Sequence, residues 1–306
     1  MDFSSETSSL TRQTDRQTEH HTPPSLEVPL RQIEAAFLPI HLDPDSLTQR
    51  TVIVTDVLRA TTTIIAAIVN GCQKVIPQPS IDKALACQAK TPNSLLGGER
   101  GGAKIPGFDL GNSPLEYESS RVQGKTLILT TTNGTVAMHR CRLAKRILIG
   151  AMTNLTAVSR CLSPDQPVTI VCSGTDGEET AEDTIFAGAL IEKMLWNRQT
   201  PQTNHAETNH PFGIPESAEA DAMQFSWRYR DLLTDRAMLA LHHWQLVKQQ
   251  VRFYDTQLTL ADIFCRARGG INLVKVGLKK DIEFASNIDL EEVVPELDPQ
   301  RWEIRK

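Results

Sequence analysis

Aromatic residues are scarce, at 5% of the 306 positions, and no apolar run is longer than the six residues from Ile64 to Val69. A bilayer-spanning helix needs roughly 20 apolar residues, so no membrane helix is expected. Cysteine is sparse and unpatterned. Cys72, Cys87, Cys141, Cys161, Cys172 and Cys265 form no Cys-x-x-Cys pair and have no His-x-x-x-His partner, which argues against zinc and for a reducing compartment. Positive charge is not in excess: 32 Lys plus Arg against 37 Asp plus Glu leave a net charge of −5, unsuited to non-specific nucleic acid or anionic membrane. The Ser-, Thr- and Gln-rich N-terminus lacks the apolar core of a signal peptide, and the expected location is the cytoplasm.

What remains, 40% apolar and 23% charged residues, is ordinary globular composition. A chain this long buries about 75% of its unfolded surface and needs no disulfide or metal staple. Residues 1–26 hold too few apolar side chains to offset the entropy of ordering them, which predicts a disordered tail before a folded domain from 27 to 306. A polar stretch at 197–221, with Pro201, Pro211, Gly213 and Pro215, predicts a long loop inserted in that domain.

Three segments share one plan of a β-branched apolar run, a polar turn and a helix-like pattern. They are Thr51 to Val54 before Asp56 and Leu58-Arg59-Ala60-Thr61-Thr62-Thr63, Leu127-Ile128-Leu129 before Thr130 to Thr135, and Val168 to Cys172 before Ser173-Gly174-Thr175-Asp176-Gly177. Weaker strands are expected at Val75-Ile76, Leu95-Leu96, Ile147 to Ile149 and Leu273-Val274, and helices from Asp231 to Val247 and around Thr259 to Ala267. Nearly continuous apolar strands alternating with helices predict an α/β fold, a three-layer α/β/α arrangement around a mixed, largely parallel sheet. Ligands then collect at the carboxyl ends of the strands, and the three polar turns should face one cleft.

Asp56, at the end of the first strand, suits metal binding or attack on phosphorus, and equally suits capping of the next helix. Arg59 supplies a planar fork for an oxyanion, with the Thr61 and Thr62 hydroxyls beside a helix N-terminus. Gly97-Gly98-Glu99-Arg100-Gly101-Gly102 reads as a short loop holding an acid and a base where backbone can approach an anion. Asn133, Gly134 and Thr135 form a second anion cradle at a helix start. Asp176, Glu178, Glu179, Glu182 and Asp183 crowd together, a repulsion that magnesium or manganese would relieve, although acids at a helix N-terminus also complement its dipole.

Familiar phosphate chemistries are missing. There is no Gly-x-x-x-x-Gly-Lys-Ser/Thr loop. The second Asp of haloacid-dehalogenase-type phosphatases is replaced by Leu58, and Glu178 stands where a cysteine phosphatase would have Arg after Cys172. Cys172 reads instead as a small buried apolar residue.

Thr55-Asp56-Val57-Leu58-Arg59-Ala60-Thr61-Thr62-Thr63, Leu96-Gly97-Gly98-Glu99-Arg100, Gly107-Phe108-Asp109-Leu110-Gly111-Asn112-Ser113-Pro114 and Thr131-Thr132-Asn133-Gly134-Thr135 together resemble the 2-phosphosulfolactate phosphatase family. The likeness runs in one order from about residue 35 to the end. It implies an α/β/α fold of the family's own type and a Mg2+-dependent hydrolysis of 2-phosphosulfolactate to sulfolactate and phosphate, a step in making coenzyme M. On that basis Asp56 with Glu182 or Asp183 is expected to hold the metal, and Arg59, Arg100 and the Asn133-Gly134-Thr135 turn to bind phosphoryl charge. Glu99 is expected to move a proton, and attack comes either from water or from Asp56 itself. A phosphatase of another small phosphorylated hydroxy acid and a non-catalytic phospho-acid or sulfonate binder are the competing readings, and a homodimer is the default assembly.

Overall fold

The computed structural model describes residues 32–163, 165–199, 229–251 and 258–306. The tail expected at 1–26 lies outside these residues, as does the insertion beyond residue 199. In chain order the strands are β1 (Ile33–Ala36), β2 (Thr51–Thr55), β3 (Lys74–Pro77), β4 (Ser94–Arg100), β5 (Ala103–Lys104), β6 (Thr126–Thr130), β7 (Arg146–Gly150), β8 (Val168–Cys172), β9 (Glu296–Asp298) and β10 (Glu303–Arg305). They form one sheet in the order β1-β8-β2-β7-β9-β10-β3-β6-β4-β5.

The sheet has two parallel halves. In one, β2 lies between β7 and β8, with β1 outside β8; in the other, β6 lies between β3 and β4. The C-terminal hairpin of β9 and β10 joins them with antiparallel pairing on both sides, to β7 and to β3. The mixed, largely parallel sheet is the expected one, bridged by two short strands that carry little pattern of their own.

Alternation along β2 shows why these runs are apolar throughout. Val52 and Val54 enter a core with Ile64, Ile65 and Ile68 of α1 (Ala60–Val69) and Met138 of α4 (Gly134–Arg140), whereas Ile53 points into the opposite core. That second core holds Leu155 and Val158 of α5 (Leu155–Arg160), Phe186 and Leu190 of α6 (Ala181–Gln199), and Leu241 and Trp244 of α7 (Asp235–Gln249). A smaller cluster beneath Ile128 and Leu96 is covered by α2 (Ile81–Gln88) through Ala84, and the short α3 (Ser119–Val122) adds Val122 to the first core. Helices on both faces of the sheet make the three layers.

The helix expected from Asp231 is α7, entered through a single turn at Arg230–Leu232 and capped by Thr234, whose hydroxyl accepts from Ala237 N–H. The helix near Thr259 is α8 (Leu260–Arg266), closed by a reciprocal cap between Thr259 and Asp262. The first three residues of the polar stretch, 197–199, complete α6.

Two expectations are corrected. Leu273-Val274 is not a strand but part of α9 (Arg268–Lys275), which is followed by α10 (Lys279–Ala285). Leu273 turns into the core and Val274 into solvent, so the local β preference yields to one-sided burial. Gly97 to Arg100 is not a loop either. It is the second half of β4, and Gly101-Gly102, both at positive φ, form the turn into β5. At Gly98 a β-carbon would collide with the Thr130 carbonyl oxygen, so the glycines here let two backbones meet closely.

Candidate functional site

The turn after β2 is fixed by its own side chains. Thr61 Oγ1 donates to the Asp56 carbonyl and accepts from Asp56 N–H, and Thr62 Oγ1 donates to the Val57 carbonyl. Both threonines are fully buried and absent from the cleft lining, so their hydroxyls shape the turn from behind the cleft. Asp56 Oδ1 accepts from Ala60 N–H at 3.2 Å, which begins α1, while Oδ2 lies against Gly134, where a β-carbon would sit 2.7 Å away. Asp56 thus caps one helix and meets the start of another.

Four turns and one helix enclose a cleft of about 300 Å³. Asp56 and Arg59 come from the turn after β2, Glu99 from the end of β4, Thr132 and Asn133 from the turn after β6, and Thr175 and Asp176 from the turn after β8. All three polar turns read from the sequence do face this one cleft. The remaining side is α9, which adds Gly269, Asn272 and Lys275.

Arg59 is buried, and both ends of its fork are held: Nη1 donates to Asp281 Oδ2 at 2.7 Å and Nη2 to the Gly102 carbonyl at 2.8 Å. Asp281, on α10, also accepts from Ser113 Oγ at 2.6 Å. Glu99 is the junction of two turns, for its Oε1 accepts from Thr132 N–H at 2.7 Å and its Oε2 from Gly102 N–H at 2.9 Å. Arg100 is aimed elsewhere. Its guanidinium donates to the Glu99 and Thr130 carbonyls and to Thr130 Oγ1, outside the cleft lining. Of the second cradle, Asn133 lines the cleft, Gly134 gives α4 its close approach to Asp56, and Thr135 turns inward onto Thr131.

The five acids after β8 do not act as one group. Glu178 and Glu179 are exposed, Asp176 sits at the cleft edge, and only Glu182 and Asp183 are buried. Asp183 ties two turns together, accepting from Val57 N–H through Oδ1 and from Ser173 and Gly174 N–H through Oδ2. Glu182 is different. Its Oε2 is buried with no hydrogen-bond partner, and its Oε1 abuts Gly269 so closely that a β-carbon there would collide with it.

Burial is the main reason that Asp56, Glu182 and Asp183 all hold protons well above the usual carboxylate range. Mutual repulsion adds to it: Asp183 acts on Asp56, Asp56 on Glu182, and Glu182 on Asp183. A cation would remove that repulsion. Among the described residues no group of three or more His, Cys, Asp or Glu side chains is arranged to hold a metal by itself. Magnesium does not require one, since it is commonly held by one or two carboxylates, its waters and the substrate's phosphate. Asp56 Oδ2 and the unpartnered Glu182 Oε2 fit that role, whereas both oxygens of Asp183 are engaged by backbone.

Lys275, Asn272 and Asp281 were not found from the sequence. The Gly269-Gly270 pair was the one available signal that backbone packs tightly here, and Ser113 lay within a motif already singled out.

A family model described as 2-phosphosulpholactate phosphatase matches residues 37–300. A protein of Clostridium novyi (strain NT) named probable 2-phosphosulfolactate phosphatase is 42% identical over 168 residues, 54% of this chain and 72% of the relative. One of the same name from Thermotoga petrophila is 34% identical over 248 residues, 81% of this chain and 89% of the relative. Another, from Carboxydothermus hydrogenoformans, is 31% identical over 266 residues, covering 87% and 92%.

Proposed function

The chain belongs to the 2-phosphosulfolactate phosphatase family, and from that premise we propose that it hydrolyses 2-phosphosulfolactate to sulfolactate and phosphate with Mg2+ bound at Asp56 and Glu182. The observation that carries the metal assignment is the buried, unpartnered Glu182 Oε2 in electrostatic contact with Asp56, just behind Gly269 in the wall of a cleft that Asp56 and Arg59 line. Bound there, the metal would supply Lewis-acid polarisation of a phosphoryl oxygen.

The chain's own residues do the rest. Arg59, its fork preset by Asp281 and Gly102, lends positive charge to the phosphoryl group, and Asn133 offers an amide from the opposite turn. Hydrolysis joins a water oxygen to phosphorus, breaks the P–O bond to carbon 2 of the substrate and returns a proton to the departing alkoxide. In this reading Glu99 moves that proton, and two backbone N–H groups hold its carboxylate rigid at the cleft. Asp183 keeps the β2 and β8 turns in register, so its effect on rate is indirect. The pathway that this reaction serves is coenzyme M assembly, and a cytoplasmic setting accords with the six free thiols.

Phosphate release from 2-phosphosulfolactate, measured with magnesium and again with EDTA, is the test. The expected result is turnover that EDTA abolishes and magnesium restores. Undiminished turnover in EDTA overturns the metal assignment, and no release under either condition overturns the phosphatase reading.

A further inference from the structure

The substrate proposed above carries two acid groups, a carboxylate and a sulfonate, besides its phosphate, and the phosphate claims Arg59. We infer that the cleft face of α9, with Lys275 as its cation and Asn272 as its amide, is a separate subsite for an acid group of the substrate. This rests on the phosphatase reading for the identity of the ligand but on different residues.

Among the cleft-lining residues the cations are Arg59 and Lys275, facing the carboxylates Asp56, Glu99 and Asp176. Arg59 is buried and tied at both ends by Asp281 and Gly102. Lys275 is exposed and makes no ion pair among the described residues. A cation left unpaired beside three acids is available to an incoming anion, and it lowers the cost of bringing a multiply charged ligand to an acidic floor.

Helix geometry then sets the spacing. Gly269 lies against Glu182, on the side of the floor carboxylates, while Val276 approaches Gly102, the residue that holds Arg59 and Glu99. The six residues from Gly269 to Lys275 rise about 9 Å along α9 at 1.5 Å per residue. Asn272 falls between them on the same lining face. With a phosphate held between the floor carboxylates and Arg59, an acid group one or two carbons away is within reach of the flexible lysine stem. A phosphomonoester without that acid group leaves the subsite unused.

The test compares four phosphomonoesters: 2-phosphosulfolactate, 2-phospholactate (carboxylate only), the phosphate ester of 2-hydroxypropane-1-sulfonate (sulfonate only) and isopropyl phosphate (neither). They are run on the full chain with Lys275 intact, with Lys275→Gln and with Lys275→Arg. Loss of a charged hydrogen bond should lower the kcat/KM ratio of acid-bearing ester to isopropyl phosphate about tenfold in Lys275→Gln, with Lys275→Arg restoring most of it. Whether the carboxylate-only or the sulfonate-only ester loses its advantage identifies the acid that is held. Ratios unmoved in both arms overturn the subsite.

Calorimetry of sulfolactate binding gives a readout that needs no turnover. A wild-type chain that binds sulfolactate through Lys275 but releases no phosphate would sustain the subsite and sink the phosphatase reading. Normal turnover with sulfolactate affinity indifferent to Lys275→Gln would do the reverse.

Discussion

The cleft has a floor and a wall, and they are built differently. The floor is made by the ends of β2, β4, β6 and β8, and it is anionic and internally bonded: Glu99 and Asp183 together accept from five backbone N–H groups, and Thr61, Thr62 and Thr135 spend their hydroxyls on nearby backbone. The wall is α9 with α10 behind it. It offers an exposed lysine and an amide to the cleft and reaches the floor through the Asp281 ion pair with Arg59. A floor wired this way cannot adapt to ligands of different shape, because moving one group breaks bonds in two turns. On the proposed reading, fixed chemistry belongs to the floor and discrimination among substrates to the wall.

The hardest blow to this division is aimed at the floor. Asp56→Asn should lower kcat by about 10³-fold, as loss of an electrostatic anchor does elsewhere, while far-UV circular dichroism stays that of the native fold. Turnover within tenfold of wild type would move the reactive centre away from the ends of the strands.

A smaller and more discriminating effect separates the two arginines. Arg59→Gln should reduce kcat/KM by about 100-fold and also destabilise the chain by about 3 kcal/mol, since it leaves Asp281 buried without its partner. Arg100→Gln should stay within about threefold in kcat/KM, because its guanidinium serves the Thr130 strand end and is absent from the cleft lining. Phosphate-release kinetics together with urea unfolding of both variants decide the matter. Equal losses from the two would return Arg100 to the site and blur the boundary of the floor.

The smallest effect is one of pH. In the folded chain Asp56 is raised to about 8 and Glu182 and Asp183 to about 7, from ordinary values of 3.8, 4.5 and 3.8. At these three groups the folded state binds protons more tightly than the unfolded one, so their contribution to stability is fully present below the ordinary carboxylate range and is lost as pH rises through the interval up to about 8. In EDTA the Tm of Glu182→Gln should fall less than that of wild type between pH 6 and 9, by roughly 2 °C, and magnesium should close the gap. Parallel Tm profiles would show that the floor carboxylates are not repelling one another.

Much of this molecule could be read along the chain. Thr51 to Val54, Leu127 to Leu129 and Val168 to Cys172 are strands as their β-branched runs imply, and the polar turns after them meet where strand ends meet in such sheets. The acids Asp56 and Glu99 carried their own signal through position and flanking glycines. Other residues misled. Glu182 and Asp183 are neighbours of the same charge class, yet one lacks a partner and the other is saturated by backbone, a difference created by the β2 and β8 turns that close on Asp183. Arg100 looked equivalent to Arg59 because both follow strand ends, but β4 runs on through Arg100 and carries its guanidinium to Thr130.

By itself the sequence determined the layered α/β plan, the three turns and the likeness to a phosphatase family, because hydrophobic period and turn chemistry are local properties of a chain. Tertiary structure alone decided which polar groups were already satisfied, and so which remained free to bind. It brought Asp281 to Arg59 across 222 positions of sequence, folded Leu273-Val274 as helix and set Lys275 over the cleft. The physical reason is that a hydrogen bond's partner and a buried charge's repulsion depend on distance in space, which spacing along the chain does not encode.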